Sequence, residues 1–433
     1  MKPSALEIAH KIKAAGGRAL LVGGSVRDGL LGREAKDVDF EVFGLKCDEV
    51  LKLFPGADTV GKSFGVIKLG NIDVAFPRRE TKLGLGHKAF QIESDPKLTL
   101  AEAAARRDFT VNAIYLDPLT NEYLDPYGGI ADLRAKVLRQ VSSHFAEDPL
   151  RVLRGMQFVA RFDLNPTAEL IETCRTMTPE GLPRERLFDE WQKLLLKGRR
   201  ISKGLEFLRA TGWVKYYPEL QKCIGCEQDP GWHPEGDVWN HTLECLDRME
   251  KGDIVVALAV LCHDFGKPYC TKFDPKAGRI RSLGHDTIGV KYALRFLRRL
   301  TNEERLLKEV PPLVQFHMSP YAYYRSHASD SAVRRLSAKV VRIDRLLKVA
   351  EADNTPRASL DWLKGVAERL DIAQNAPKPI VLGRHLLAKG MTPGPQMGQE
   401  LKALYEAQLD GRFFNLENGL ELWYNIHNSS KKS

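Results

Sequence analysis

Leu21-Val22-Gly23-Gly24-Ser25-Val26-Arg27-Asp28, followed by Asp37-Val38-Asp39, is the stretch that decides how this chain folds. The apolar run Ala19 to Val22 reads as a strand that breaks at a glycine pair, where backbone N–H groups can approach a polyphosphate with no Cβ in the way. A helix beginning near Ser25 aims its positive end at the same anion. Asp37 and Asp39 stand two apart at the start of Val38-Asp39-Phe40-Glu41-Val42-Phe43, which alternates like a strand, so both carboxylates leave from one face. Carboxylates that close repel unless a cation lies between them. Mg²⁺, held jointly by carboxylates and substrate phosphates, suits that place, and a pair of such ions clamps the entering and leaving oxygens of an in-line displacement. A Gly-Gly or an Asp-x-Asp alone is commonplace, a turn beside a solvated edge strand. In order, within one strand–turn–helix–strand unit, they imply nucleotidyl transfer.

The same residues, continued through Leu30-Leu31-Gly32 to Gly44, resemble the first signature of the class II transfer-RNA nucleotidyltransferase and bacterial poly(A) polymerase family, a branch of the DNA polymerase beta superfamily. The resemblance makes Asp37 and Asp39 the catalytic metal carboxylates and puts Gly24 and Arg27 in the nucleotide-binding turn. Arg106-Arg107-Asp108-Phe109-Thr110-Val111-Asn112-Ala113 is similar to the family's second signature, which contacts the sugar, so Arg107, Asp108 and Asn112 take that task by resemblance. Two arginines can hold phosphate oxygens, and a side chain bonded to a ribose 2′-OH would select ribonucleotides. The plainer reading is a basic helix start capped by Asp108.

Between these motifs, Arg78 to Phe90 holds too many glycines and charges for an element interior and reads as a mobile loop; CCA-adding members of the family carry a flexible loop here that helps the site switch to ATP. Asp73 stands just before it, as a third metal-site carboxylate or as the ion-pair partner of Arg78 or Arg79.

Glu147-Asp148-Pro149-Leu150-Arg151 resembles the family's Glu-Asp-x-x-Arg motif, an amino-acid template for the incoming base. Asp148 and Arg151, three apart at a helix start, share a face. A carboxylate accepts the amino group of cytosine or adenine while a guanidinium donates to the adjacent ring nitrogen. Guanine and uracil would set an acceptor against the carboxylate, a mismatch that can discriminate by about 10⁴. The bland alternative is an i,i+3 ion pair worth ~0.2–0.5 kcal/mol. Arg154, one turn on, is placed to reach the triphosphate.

Composition frames these readings. The chain has 433 residues, a formal net charge of +9 and a pI near 9.0, which suits several domains and a polyanionic partner. Seven cysteines without paired spacing, no apolar stretch of spanning length and no signal-peptide start point to the cytoplasm and away from membranes. Cys223-Ile224-Gly225-Cys226 is read as a turn between helices in preference to a structural zinc site, since no second Cys pair follows.

Residues 1–140 mix strands, including Ile72 to Phe76 and Ala113 to Leu116, with helices; helical periodicity dominates beyond. Asp148 to Phe162 describes an amphipathic helix. With the resemblance, the fold class is α+β: a polymerase-beta-like nucleotidyltransferase head with a mixed sheet (1–140), then all-α pieces comprising a neck and body with the nucleotide-selecting helix (141–225), a metal-binding domain (226–365) and a tail (366–433). The tail begins in a turn-rich linker that leads into a helix from Gln399 to Leu409 and ends in a frayed basic segment.

In the third part, His241, then His263-Asp264 in Leu261-Cys262-His263-Asp264-Phe265-Gly266-Lys267, then Asp353 follow the metal-ligand order of the HD phosphohydrolase family, with His285 and His317 spaced as extra ligands. Imidazoles with carboxylates suit Mg²⁺, Mn²⁺ or Ni²⁺. Some bacterial nucleotidyltransferases carry such a domain with metal-dependent phosphatase or phosphodiesterase activity.

The expectation is therefore an enzyme that adds or repairs the 3′-terminal CCA of transfer RNA from CTP and ATP, releasing pyrophosphate. Lys193, Lys197, Arg199, Arg200 and Lys203 are candidates for the RNA backbone, or simply a solvated face. A CC-only enzyme, an A-adding enzyme and a poly(A) polymerase share the motifs; a phosphohydrolase acting on RNA 3′ ends and a non-enzymatic RNA scaffold are the readings from other classes. Oligomeric state is not legible.

Overall fold

The computed structural model describes residues 4–34, 38–60, 66–82 and 90–429. It separates into two compact units, Met1–Tyr216 and Tyr217–Ser433. The α+β expectation holds: the first unit carries a mixed sheet, and helices make up nearly all of the second.

In the first unit the strands are β1 (Arg18–Val22), β2 (Val38–Phe43), β3 (Asp58–Val60), β4 (Val66–Leu69), β5 (Ile72–Ala75), β6 (Arg78–Lys82), β7 (Phe90–Ser94), β8 (Tyr115–Asp117) and β9 (Glu122–Leu124). Seven of them form one sheet in the order β3-β4-β5-β2-β1-β8-β9. β1 runs antiparallel to β2 and β8, and β2 runs parallel to β5, with Asp39 beside Asp73. Strand alternation then sorts the side chains of β2. Phe40 and Val42 join Ile8, Ile12, Ile67 and Val74 in the core on one face, while Leu20, Val22, Ala113 and Tyr115 form the core on the other. Asp39 and Glu41, alternating with Phe40 and Val42, leave β2 on that second face.

β6 and β7 pair as a separate hairpin from Arg78↔Ser94 to Lys82↔Phe90. The segment expected to be a loop thus has strand stems, which alternation at Phe90-Gln91-Ile92 favours; its centre lies outside the described residues. The helix expected after Pro149 spans Leu150–Phe162 and buries Val152, Leu153, Met156, Val159 and Ala160 among its apolar positions. Two further helices, Arg184–Lys197 and Ile201–Ala210, pack on it.

The second unit is built around Ile254–Cys262, whose sequence is apolar on every side and which is buried from Val255 onward. Helices Val238–Arg248, His285–Leu300, Glu304–Phe316 and Ile343–Ala352 pack against it. Its last residues have a small core of their own, in which Val381, Leu386, Leu404, Phe413 and Trp423 meet. There the helix expected from Gln399 begins four residues earlier, at Pro395, because proline fits the first turn of a helix. The expected frayed tail lies outside the described residues beyond Ser429. Among the described residues no helix is long and apolar enough to cross a membrane.

Candidate functional site

The glycine turn forms as expected. Gly23 has φ +77° and caps the short helix Gly24–Leu30. A Cβ at Gly23 would sit 3.8 Å from Nη1 of Arg107 and 3.9 Å from Oδ2 of Asp39, so the turn, the second-signature arginine and the Asp39 carboxylate converge. Asp37 lies outside the described residues. Asp73, next to Asp39 in register, is held by Lys68 at 2.9 Å. That partner replaces the expected Arg78 or Arg79: Lys68 and Asp73 face each other across the β4–β5 ladder, whereas Arg79 turns to Asp95 at 3.1 Å.

The second signature opens only a three-residue 3₁₀ turn, Thr110–Asn112, which follows Phe109 and is not capped by Asp108. Helix Leu100–Ala105 ends at Arg106, and Asp108 accepts hydrogen bonds from the Phe109 N–H (2.8 Å), from Asn112 Nδ2 (2.8 Å) and from Arg154 Nε (2.7 Å). Asn112 in turn accepts from Nη1 of Arg27 at 2.6 Å. Arg27 is itself buried, bonded to Asp28 and stacked over Phe162 at 4.3 Å. Arg27, Asn112, Asp108 and Arg154 therefore form one chain of charge-assisted bonds tying the glycine-turn helix to Leu150–Phe162. Burial alone would raise the Asp108 carboxyl, but Arg154 and Asn112 hold it below its ordinary value. Burial lowers the Arg27 guanidinium.

At the start of Leu150–Phe162, Asp148 accepts from the Leu150 N–H at 3.0 Å and from Arg186 Nη2 at 3.0 Å. Arg151 donates to the main-chain carbonyls of His144 and Arg106, both at 2.6 Å. Asp148 is thereby fixed by a helix that lies further along the chain, through Arg186, 38 residues away. Arg186 had no local signal; only packing of Arg184–Lys197 brings it across.

Glu41 was also missed. It is fully buried and accepts from Arg106 Nη2 (2.6 Å), Arg107 Nη2 (2.8 Å) and the Tyr115 hydroxyl (2.9 Å). Burial opposes its charge, yet Arg107 and Arg106 hold it below the usual carboxylate range. The signal was present in its alternation with Asp39, though a residue with no exposed surface is not expected to be acidic.

In the second unit, His241, His263, Asp264 and Asp353 meet as expected, joined by His285 and His317. His241 Nε2 is 2.8 Å from Asp353 Oδ1, and His263 Nε2 is 3.3 Å from Asp264 Oδ2 and 3.5 Å from Asp353 Oδ1. His285 and His317 face each other through their Nε2 atoms at 3.2 Å. The Nδ1 atoms of His263, His285 and His317 lie 2.7–2.8 Å from the carbonyls of Val260, Ser282 and Val314, while Nδ1 of His241 meets Glu235 at 2.6 Å. A carbonyl only accepts, so Nδ1 of His263, His285 and His317 carries a proton and the Nε2 atom of each ring is the one that faces inward. Gly266 makes this possible, since a Cβ there would lie 1.9 Å from the His285 carbonyl oxygen.

His263 Nε2 and both Asp264 oxygens are buried and make no well-aligned hydrogen bond among the described residues, the contacts to Asp264 being ion pairs. Converging nitrogen lone pairs and two buried carboxylates fit a divalent cation. Without one, Asp264 and Asp353 overcome the effect of burial and push His263 up to about 10, whereas burial pushes His317 down to about 4. Lys267 also reaches Asp264, at 2.7 Å. Cys223 and Cys226 fall outside every metal-spaced cluster among the described residues, and burial raises both thiols, in keeping with the turn reading.

A mixed sheet with a glycine turn, strand carboxylates and a helical body defines a nucleotidyltransferase of the poly(A) polymerase type, and residues 19–139 match the family profile of the poly A polymerase head domain. The chain belongs to the multifunctional CCA protein family: it is 33% identical over 404 residues to the member from Xanthomonas campestris pv. campestris, across 88% of this chain and 95% of the relative. The multifunctional CCA protein of Methylobacillus flagellatus is 39% identical over 293 residues, 65% of this chain and 69% of that protein. Among solved structures, the Bacillus stearothermophilus CCA-adding enzyme in complex with CTP aligns with a TM-score of 0.69 at 22% identity, covering 100% of this chain and 99% of that one. The Thermotoga maritima CCA-adding enzyme complexed with tRNA aligns at 0.58 and 21%, covering 97% and 93%. These likenesses show a shared fold.

Proposed function

We propose that this protein adds or repairs the CCA end of transfer RNA in the cytoplasm, taking CTP and ATP and releasing pyrophosphate, with 1–140 as the head, 141–225 as neck and body, 226–365 as an HD-type domain and 366–433 as the tail. One observation carries the reading: the bonded chain Arg27–Asn112–Asp108–Arg154 fastens the glycine turn to the helix that begins beside Asp148 and Arg151. Phosphate-binding and base-selecting groups thereby share one rigid frame.

Asp39 stands beside the glycine turn, and a hard carboxylate oxygen there, with Asp37 two residues earlier in sequence, is a donor type that suits Mg²⁺. Bound there, Mg²⁺ would supply Lewis-acid polarisation of the α-phosphate and lower the pKa of the RNA 3′-hydroxyl. Arg107 holds phosphate oxygens, the Gly23–Gly24 turn supplies N–H donors, and Asp148 accepts the exocyclic amine of cytosine or adenine while Arg151 donates to the ring. Catalysis is then positioning and charge neutralisation. Along the body, Lys197, Arg199 and Arg200 are exposed and suited to RNA phosphates, whereas Lys193 pairs with Glu190 and Lys203 with Asp163. The test is purified protein with labelled CTP or ATP on transfer RNAs ending before the first C, after the second C, and complete. CTP incorporation on the first and ATP incorporation on the second support the reading; ATP runs on every RNA overturn it in favour of poly(A) synthesis.

A second activity is favoured by the convergence of the His241, His263 and His285 Nε2 atoms on the carboxylates of Asp264 and Asp353. His241, His263, Asp264 and Asp353, with His285 and His317, would hold Mg²⁺, Mn²⁺ or Ni²⁺, and the bound ion would activate a water for phosphate-ester hydrolysis at an RNA 3′ end.

A further inference from the structure

Glu41 is a charged group that the chemistry above does not use. It follows Asp39 by two residues on β2, so their carboxylates stand on one face about 7 Å apart along the strand, and a guanidinium lying over that face can pair with either. Arg107 lies there. Its Nη2 is bonded to Glu41 at 2.8 Å, while its Nη1 and Asp39 Oδ2 both lie within 4 Å of the place a Cβ on Gly23 would take. Glu41 has no exposed surface and is enclosed by Arg106, Arg107 and Tyr115, which leaves no room for a hydrated cation. It is therefore no third metal ligand.

We propose that Glu41 is a positioning residue: it takes the Arg107 charge onto itself, keeping that guanidinium aimed at the nucleotide phosphates and preventing it from competing with the catalytic cation for Asp39. The proposal rests on the reading of Asp39 as a metal ligand. Its logic is competition between two cations for one carboxylate. An arginine released from Glu41 finds Asp39 as the next acid on the same strand face, and a charge-assisted contact there would occupy oxygens the metal needs. Arg106, held by the same carboxylate, makes the arrangement more demanding. Two guanidinium groups this close repel unless an anion lies between them.

The experiment uses the full-length protein and follows Mn²⁺ taken up only when a non-hydrolysable CTP analogue is present at saturation, read by electron paramagnetic resonance. Cation bound independently of nucleotide in the second unit drops out of that difference. Glu41→Gln should raise the Mn²⁺ dissociation constant about tenfold or more, the range a charged hydrogen bond commands. Incorporation of CMP at saturating Mg²⁺ should stay much closer to wild type than incorporation at limiting Mg²⁺. Adding Arg107→Gln to Glu41→Gln should return Mn²⁺ affinity toward the wild-type value even though CTP itself binds more weakly, because the competitor is gone. Glu41→Asp, which keeps the charge but shortens its reach, should give a smaller loss in the same direction, and covers the case in which Glu41→Gln folds poorly. Unchanged Mn²⁺ affinity in both single variants overturns the proposal. So does a double variant as weak as the single, since a merely structural loss would not be rescued by removing a second buried partner. Asp39→Ala separates the two layers: nucleotide-dependent Mn²⁺ uptake that survives it overturns the assignment of Asp39 itself, whatever Glu41 does.

Discussion

The two charged centres of this chain are solved in opposite ways. In the first unit every buried acid is answered by protein: Glu41 by Arg106, Arg107 and Tyr115, Asp108 by Arg154 and Asn112. In the second, imidazole nitrogens face one another around Asp264 and Asp353, and Asp264 is answered by Lys267 at 2.7 Å together with the rings of His263 and His285. A buried charge without a counter-charge costs several kcal/mol. The difference teaches what each centre is prepared for. In the proposed function the first receives a large anion that brings its own phosphates, with its arginines pinned before the substrate arrives, and the second, rich in inward-facing imidazole nitrogens, receives a cation directly.

The sharpest way to break the contrast is to disable each centre alone. Asp39→Ala should lower CMP and AMP incorporation by ~10²–10³ or more while leaving opening of a 2′,3′-cyclic phosphate end to its monoester intact. His263→Ala should do the reverse. Parallel loss of both activities in either variant, measured on one preparation, would mean that the centres are not independent.

Next in size is base choice. Asp148→Ala should erase much of the roughly 10⁴-fold refusal of GTP and UTP that a hydrogen-bonding site can command, with CTP use reduced far less. Competition among four labelled nucleotides reads it directly. Unaltered refusal would move selection away from Asp148 and leave its Arg186 contact as a purely structural tie.

Metal addition to the stripped protein comes third. Ni²⁺ or Mn²⁺ at about 100 times its dissociation constant should stabilise the second unit by ~2.7 kcal/mol, seen as a higher melting midpoint. His263→Ala should abolish that gain. A midpoint indifferent to both ions would make the histidine cluster a hydrogen-bonded core.

The smallest effect is the acid limb of stability. Asp108 is held below its ordinary value when folded. A depressed carboxyl contributes stability above its unfolded pKa of roughly 4, and that contribution is lost as pH falls through the lower folded value. Asp108→Asn should therefore flatten the loss of stability below about pH 4 while lowering stability near neutrality. An unaltered acid limb in denaturant titrations would remove the charge from the account of this network.

Much of this was legible beforehand, and the misses share a cause. β1, the glycine turn and β2 follow from residues adjacent in sequence. Ile254–Cys262 follows from composition alone, because a helix apolar on every side has no choice but the interior. The histidine order marked the second centre because ligand type is chemically restrictive. Arg186, Lys68 as the partner of Asp73, and the strand stems around the Arg78–Phe90 segment were not legible. Each is a pairing between surfaces that only packing or strand register brings together.

What the sequence determined by itself was the inventory: a glycine turn after a strand, strand carboxylates on one face, an acid and an arginine three apart at a helix start, and imidazoles with carboxylates in the order His, His-Asp, Asp. These depend on local spacing, and periods of 2 and 3.6 residues are fixed by backbone geometry. Tertiary structure decided which charges neutralise one another and which are left waiting. That Asp39 and Glu41, two residues apart on one strand, have different surroundings is such a decision. One stands at the glycine turn and the other is sealed under two arginines from a helix end 65 residues away. The pairing energy of a buried charge depends on what surrounds it in three dimensions, and neighbours in sequence carry no record of that.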